Sequence, residues 1–287
     1  MTTRKLKRWG QLGLGTALAT GTLAACGGEP AEPVTEPEVV AEAPVTPSDD
    51  AAQIGEGEAG GEGEGEGGEG KGGVSISAAA TDPVVFNSAL AIAEAHVIAA
   101  RDAFAEGETT AASEMFGHLV SEVLFNLQPV FEQRGVDDFS DLFTGAAVAI
   151  FDGEDAAQIN ARAEEIFAAL DAAAEKAPDD GSSEGAIAAG VAADQIERAT
   201  DMYRAAAESD RYEPYLDGYG FFKAGEAAFL GSEAEIEAED AEAADAIRTA
   251  LTLLNEAYPT ALRPDALEAD QSALTVAASQ VVLAVGN

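Results

Sequence analysis

The mature part of this sequence holds two histidines, His96 and His118, and helical geometry brings them near one another. If the helices carrying them run antiparallel about a turn near Gly107 and Glu108, His96 falls opposite position 119, next to His118. Glu122, four residues after His118, shares its helix face; Met115 lies one turn earlier, and Glu94 stands across the hairpin. Two imidazoles and a carboxylate on facing helices make a candidate site for iron, copper or zinc, and the thioether would add a soft ligand for copper or haem iron. A plainer role stands beside this one. The apolar stripe Met115, Leu119, Val123 and Leu127 points away from His118, which shares its side with Glu114, Ser121 and Phe125. His118 would then cap a helix, pair with Glu122 or face solvent.

Catalytic patterns are absent. There is no HExxH, no G-x-S-x-G, no phosphate-binding glycine loop ahead of a helix and no C-x-x-C-H, so a non-enzymatic protein is expected. Acidic pairs such as Glu164-Glu165 and Glu239-Asp240 read as solvated faces in so acidic a chain. The aromatic cluster Tyr212, Tyr215, Tyr219, Phe221 and Phe222 reads as core packing among alanines, or else as the lining of a groove. Gly218, Gly220 and Gly225 nearby permit close helix approach but weaken their helix, which marks the segment for irregularity.

The only cysteine, Cys26, carries a different chemistry. Ahead of it stand four cations, Arg4, Lys5, Lys7 and Arg8, then a glycine-interrupted apolar run too short to span a membrane well. That is the layout of a signal peptide over 1–25. Leu23-Ala24-Ala25-Cys26 resembles the bacterial lipobox, which implies cleavage before Cys26 and lipidation of its sulfur and new N-terminus. Several acyl chains make a stable anchor where one does not. Gly27, in place of an aspartate, implies by the same resemblance the outer membrane, with the chain facing the periplasm. With one cysteine no internal disulfide is available, so the fold must hold by packing.

Removing the four leader cations from the formal charge of −38 leaves a mature chain of −42. Such a charge argues against nucleic acid and anionic head groups as partners, since both demand a cationic surface; the membrane is reached through the lipid anchor instead. Residues 26–80 are Pro-, Glu- and Gly-rich with few large apolar side chains, and read as a lipidated cysteine followed by a disordered tether. From 81 the composition turns alanine-rich at three- and four-residue spacing, with no alternating strand pattern. Asp82-Pro83 opens a first helix through Phe86, Leu90, Val97 and Phe104 that Gly107 ends; Thr109 or Thr110 caps a second that Pro129 bends or stops, and Arg134-Gly135 closes it. Asp137 or Asp138 begins a third that runs to Phe151, and a fourth carries Ile159, Ile166 and Leu170. Beyond the polar connector at 178–185 lie helices over 186–208, 214–230, 232–258 and 265–285. The expectation is an all-α, antiparallel bundle of about eight helices over 81–287, divisible into four-helix halves at 81–178 and 184–287. Arg101-Asp102-Ala103-Phe104 and Thr200-Asp201-Met202-Tyr203 sit alike in the two halves, as after a duplication.

The run from His96 through Phe104-Ala-Glu-Gly107, Met115, His118 and Glu122 to Gln128-Pro129 and Arg134-Gly135 resembles helical hairpins of periplasmic domains associated with iron uptake. These are the domains attached to FTR1-type iron permeases and those of imelysin-like lipoproteins. The resemblance implies metal binding in connection with envelope metal uptake, with an envelope metal-transport protein as partner. Imelysin-like proteins carry Gly-x-His-x-x-Glu, whereas this chain reads Gly117-His118 with Glu122 one residue further on. The alternative expectation is a structural or interaction module of the envelope without a metal site.

Overall fold

The computed structural model describes residues 73–286, apart from the side chains of Ser121 and Glu122. Cys26, the signal segment and most of the expected tether lie outside the described residues. Those described form ten α-helices and one π-turn, with no strand: α1 (Ile76–Ala79), α2 (Pro83–Ala105), α3 (Thr109–Leu119), the π-turn (Val120–Leu124), α4 (Phe125–Arg134), α5 (Ser140–Phe151), α6 (Ala156–Ala174), α7 (Glu184–Ala207), α8 (Glu213–Glu239), α9 (Ala241–Ala257) and α10 (Gln271–Val285). The all-α class is as expected.

Local chemistry starts most of these helices where the sequence places them. The Asp82 carboxylate accepts from the N–H groups of Val84 and Val85 at 2.8 and 3.2 Å, ahead of Pro83 in the first turn. Asp155 and Gln158 form a reciprocal capping box at α6, and Ser183 caps α7. Each such cap contributes about 1 kcal/mol by satisfying donors that a helix start leaves without partners. Gly135 closes α4 with φ 68°, a left-handed turn in which Val136 N–H reaches back to the Phe131 carbonyl at 2.9 Å.

Helix α2 is the centre of the molecule. Its 23 residues are apolar almost all round, and it packs against α3, α6, α7 and α8. A helix with no polar face is one surrounded by others. It is long and apolar enough to cross a membrane by composition alone, yet most of its surface is buried within the fold. Because α2 belongs to the first sequence half while α7 and α8 belong to the second, one continuous core spans both halves.

Several boundaries differ from expectation. The packed chain begins before 81: Val74 and Ala79 are buried, and Arg134 donates to the Ala80 carbonyl at 2.8 Å. Pro129 does not stop its helix. The departure from α geometry lies just upstream, where Phe125 N–H bonds the Val120 carbonyl five residues back; this wider turn sits beside a proline that has no N–H to offer. Neither Thr109 nor Thr110 caps α3, whose N-cap is Glu108 without a side-chain bond. The stretch expected as one helix over 232–258 is divided. Ser232 leaves helical geometry at φ −134°, and Asp240 breaks the chain and caps α9. Finally, α10 starts at Gln271 and not near 265, because 258–270 is held as an irregular connection by tyrosines. Tyr215 and Tyr212 donate to the carbonyls of Thr260 and Ala261, both at 2.9 Å, and the Tyr203 hydroxyl accepts from Ala269 N–H at 2.9 Å.

Candidate functional site

Close approach of α8 to α2 determines where His96 points. At Gly220 an added Cβ would stand 2.4 Å from the Ala95 carbonyl oxygen, so glycine is required for the two backbones to meet. Its neighbours on α8 therefore lie against the middle of α2. His96 Nδ1 lies 2.8 Å from the Ile92 carbonyl, one turn back, and must carry the proton of that bond. Nε2 is left facing the Asp217 carboxylate at 3.8 Å. The Phe221 ring meets the imidazole edge-on at 5.9 Å, and only 12% of the side chain is exposed.

A second polar contact crosses the same interface. Tyr219 donates to Asp102 Oδ2 at 2.8 Å while Arg101 Nε donates to Oδ1 of the same carboxylate at 2.9 Å. Burial and the neighbouring Asp102 charge push the Tyr219 hydroxyl far above its ordinary range. The Arg101 guanidinium also lies over the Phe167 ring of α6 at 5.8 Å. On the other side of α2 stands Glu94. Burial strips its charged form of water, Asp171 of α6 adds like charge, and Arg101 offsets only part of this, so the carboxyl is pushed up to about 8. That shift favours the uncharged acid at neutral pH, on a side chain that keeps some exposure.

Helices α2 and α3 do pack together as the hairpin reasoning requires. The His96 ring meets the Ile92 carbonyl, Asp217 and Phe221. His118 is partly exposed near the end of α3, and Met115 is buried in the apolar core. The backbone of Glu122 belongs to the π-turn, and its side chain lies outside the described residues. Among the described residues no group of three or more His, Cys, Asp or Glu side chains is gathered as a metal would need. Sequence reasoning missed Asp217, because a partner so distant in sequence follows only from knowing how α2 is rotated.

It also missed a cavity. Between the π-turn with α4 and the connection into α5 lies a hollow of about 150 Å³. Its lining includes Leu124, Phe131 and Phe139, all buried, with the last two rings 5.7 Å apart. Phe125, Glu132 and Asp138 also line it, and Phe125 is 71% exposed. The N–H of Ser140 donates to Asp138 at 2.9 Å, which holds that carboxyl below its ordinary range and keeps it ionised. Gln128 donates to Glu132 at 3.2 Å, which steadies the second acid. The signal available in the sequence was Phe125 itself, an aromatic on the polar side of its helix.

No family model, no curated protein and no solved structure matches this chain.

Proposed function

We propose that this chain is a lipid-anchored protein of the outer membrane, facing the periplasm, that works by recognition and not by catalysis: an acidic helical domain on a tether that holds a partner or ligand at its surface. The anchor is supported by the signal layout, the lipobox-like Leu23-Ala24-Ala25-Cys26 and the tether composition that follows. The observation that carries the recognition reading is the cavity beside Phe125, where apolar surface lies open next to the carboxyl groups of Glu132 and Asp138. Elsewhere the conspicuous polar groups of the interior join helix to helix, as in Tyr219 with Asp102 and Tyr258 with the Ala199 carbonyl at 2.7 Å. An apolar hollow with a few placed polar groups is the usual form of a binding site.

Binding of a metal ion, or of a metal-bearing partner, in envelope metal uptake is a second reading, favoured by one observation. With Nδ1 bonded to a backbone carbonyl, His96 presents Nε2 towards Asp217, the orientation common to metal-ligating histidines. Elemental analysis and titration of the mature protein with zinc, copper and iron separate the two. Recognition at the Phe125 cavity predicts only weak binding of these metal ions, fading at about 0.15 M salt, where surface attraction is screened. A stoichiometric site lost in His96→Ala, Asp217→Asn or His118→Ala would overturn that expectation and put metal binding first.

A further inference from the structure

We propose that the cavity between the π-turn with α4 and the 136–140 connection binds a small organic cation of the alkylated ammonium type; this rests on the recognition reading above and names its ligand. Phe125, Phe131 and Phe139 supply three phenyl rings, and Glu132 and Asp138 supply two carboxylates, around a volume of about 150 Å³. Each ligand class meets these walls differently. An anion is excluded by the two acids and by the negative field of the whole chain. A hydrated metal ion would exchange its water for phenyl and aliphatic carbon, with only two carboxylates to replace the lost oxygens, and no third ligand group is gathered there among the described residues. A neutral apolar molecule would fill the hollow without using either acid.

An ammonium carrying methyl or methylene groups uses both halves of the lining. Its alkyl surface leaves water at little cost, its diffuse charge is attracted to the faces of aromatic rings, and the acids stabilise it further. The Ser140 N–H holds the Asp138 carboxyl below its ordinary range, which favours the charged form at neutral pH. The Phe125 ring is the most exposed of the three, and its position follows from the π-turn that immediately precedes it.

The test titrates the Cys26→Ser chain, which lacks the lipid anchor, with tetramethylammonium and with choline, followed by calorimetry or by ligand proton shifts, at about 0.15 M salt so that loose surface attraction is screened. Saturable one-to-one binding is expected, at least about tenfold tighter for tetramethylammonium than for its uncharged isostere neopentane or for sodium. Phe125→Ala should weaken it roughly fivefold or more while leaving the helical spectrum unchanged, since that ring is exposed, and Phe125→Trp should retain it. Asp138→Asn, which keeps an oxygen for the Ser140 N–H but removes the charge, should weaken it as well. Vesicles of phosphatidylcholine against phosphatidylglycerol decide the source. Retention on the former alone assigns a lipid head group; binding of the free cations alone assigns a soluble ligand. Absence of saturable binding, equal affinity for the uncharged isostere, or indifference to both Phe125→Ala and Asp138→Asn would overturn the proposal. If it fails while a photoreactive residue at position 125 still captures a discrete partner in cells, the ligand class falls alone; if both fail, recognition at this cavity falls with it.

Discussion

Replacing Glu94 with glutamine should stabilise the protein in alkaline solution, and the structure sets the size of the effect. In the unfolded chain a glutamate ionises near 4.5, whereas in the fold burial and Asp171 raise Glu94 to about 8. Between those values the folded state holds a proton that the unfolded state has released, so stability falls as pH rises. The group costs nothing below the unfolded value, and its penalty grows by about 1.4 kcal/mol per pH unit and levels off above the folded value. Over a span of 8 less 4.5 that gives a ceiling of about 5 kcal/mol, and residual exposure of the side chain brings the working figure to roughly 2–4 kcal/mol. Glu94→Gln has nearly the same shape and no charge. Urea unfolding followed by far-UV circular dichroism at pH 5, 7 and 9 would measure it. Wild type and variant should lie within about 1 kcal/mol of each other at pH 5, with the variant ahead by about 2 kcal/mol or more at pH 9. The net acidity of the chain affects both proteins alike, so the difference between the curves isolates this one carboxyl. Equal stability at pH 9, or a variant weaker at every pH, would refute the reasoning that the fold keeps Glu94 protonated.

Three further outcomes follow from the same geometry and sequence. Gly220→Ala drives a methyl to within 2.4 Å of the Ala95 carbonyl, so α8 must shift; a loss of about 1–3 kcal/mol in chemical denaturation is expected, and a neutral result would mean the two helices are not so close. Tyr258→Phe removes the buried donor to the Ala199 carbonyl and should destabilise by about 1–2 kcal/mol, with the ring contacts to Tyr203 and Tyr215 retained. Cys26→Ser should yield a chain without lipid mass that no longer sediments with membranes; an unmodified Cys26 in wild-type protein would remove the anchor from the account.

Much of the helical architecture was legible because it is written in short-range chemistry. Asp82-Pro83 and Gly135 each act within a few residues, and spacing alone reveals them. The rotation of α2 was not legible, for a physical reason. A helix that is apolar on every side has no stripe to say which neighbour each residue meets, so the approach of His96 to Asp217 of α8 could not be read from spacing. The divided helix at 232–258 was hidden for a related reason. Ala- and Glu-rich sequence favours helix throughout, and the packing that ends α8 at Asp240 is a property of the assembled bundle. The 265–270 stretch reads as helix until Tyr203, Tyr212 and Tyr215 supply hydrogen bonds that an irregular backbone can use. Phe125 shows the opposite case, a residue whose mismatch with its helix face was visible and whose cavity was not.

Recognition at the surface, and not chemistry in the core, is the central claim, and site-directed photo-crosslinking in cells tests it most directly. A photoreactive phenylalanine analogue at position 125 should give a discrete adduct, whereas the same residue in place of the exposed Glu164 on α6 should give none. An adduct at 125 that disappears in the Asp138→Asn background is the predicted result. Equal labelling at both positions, or none at 125 in protein shown to be folded and exported, would contradict the account.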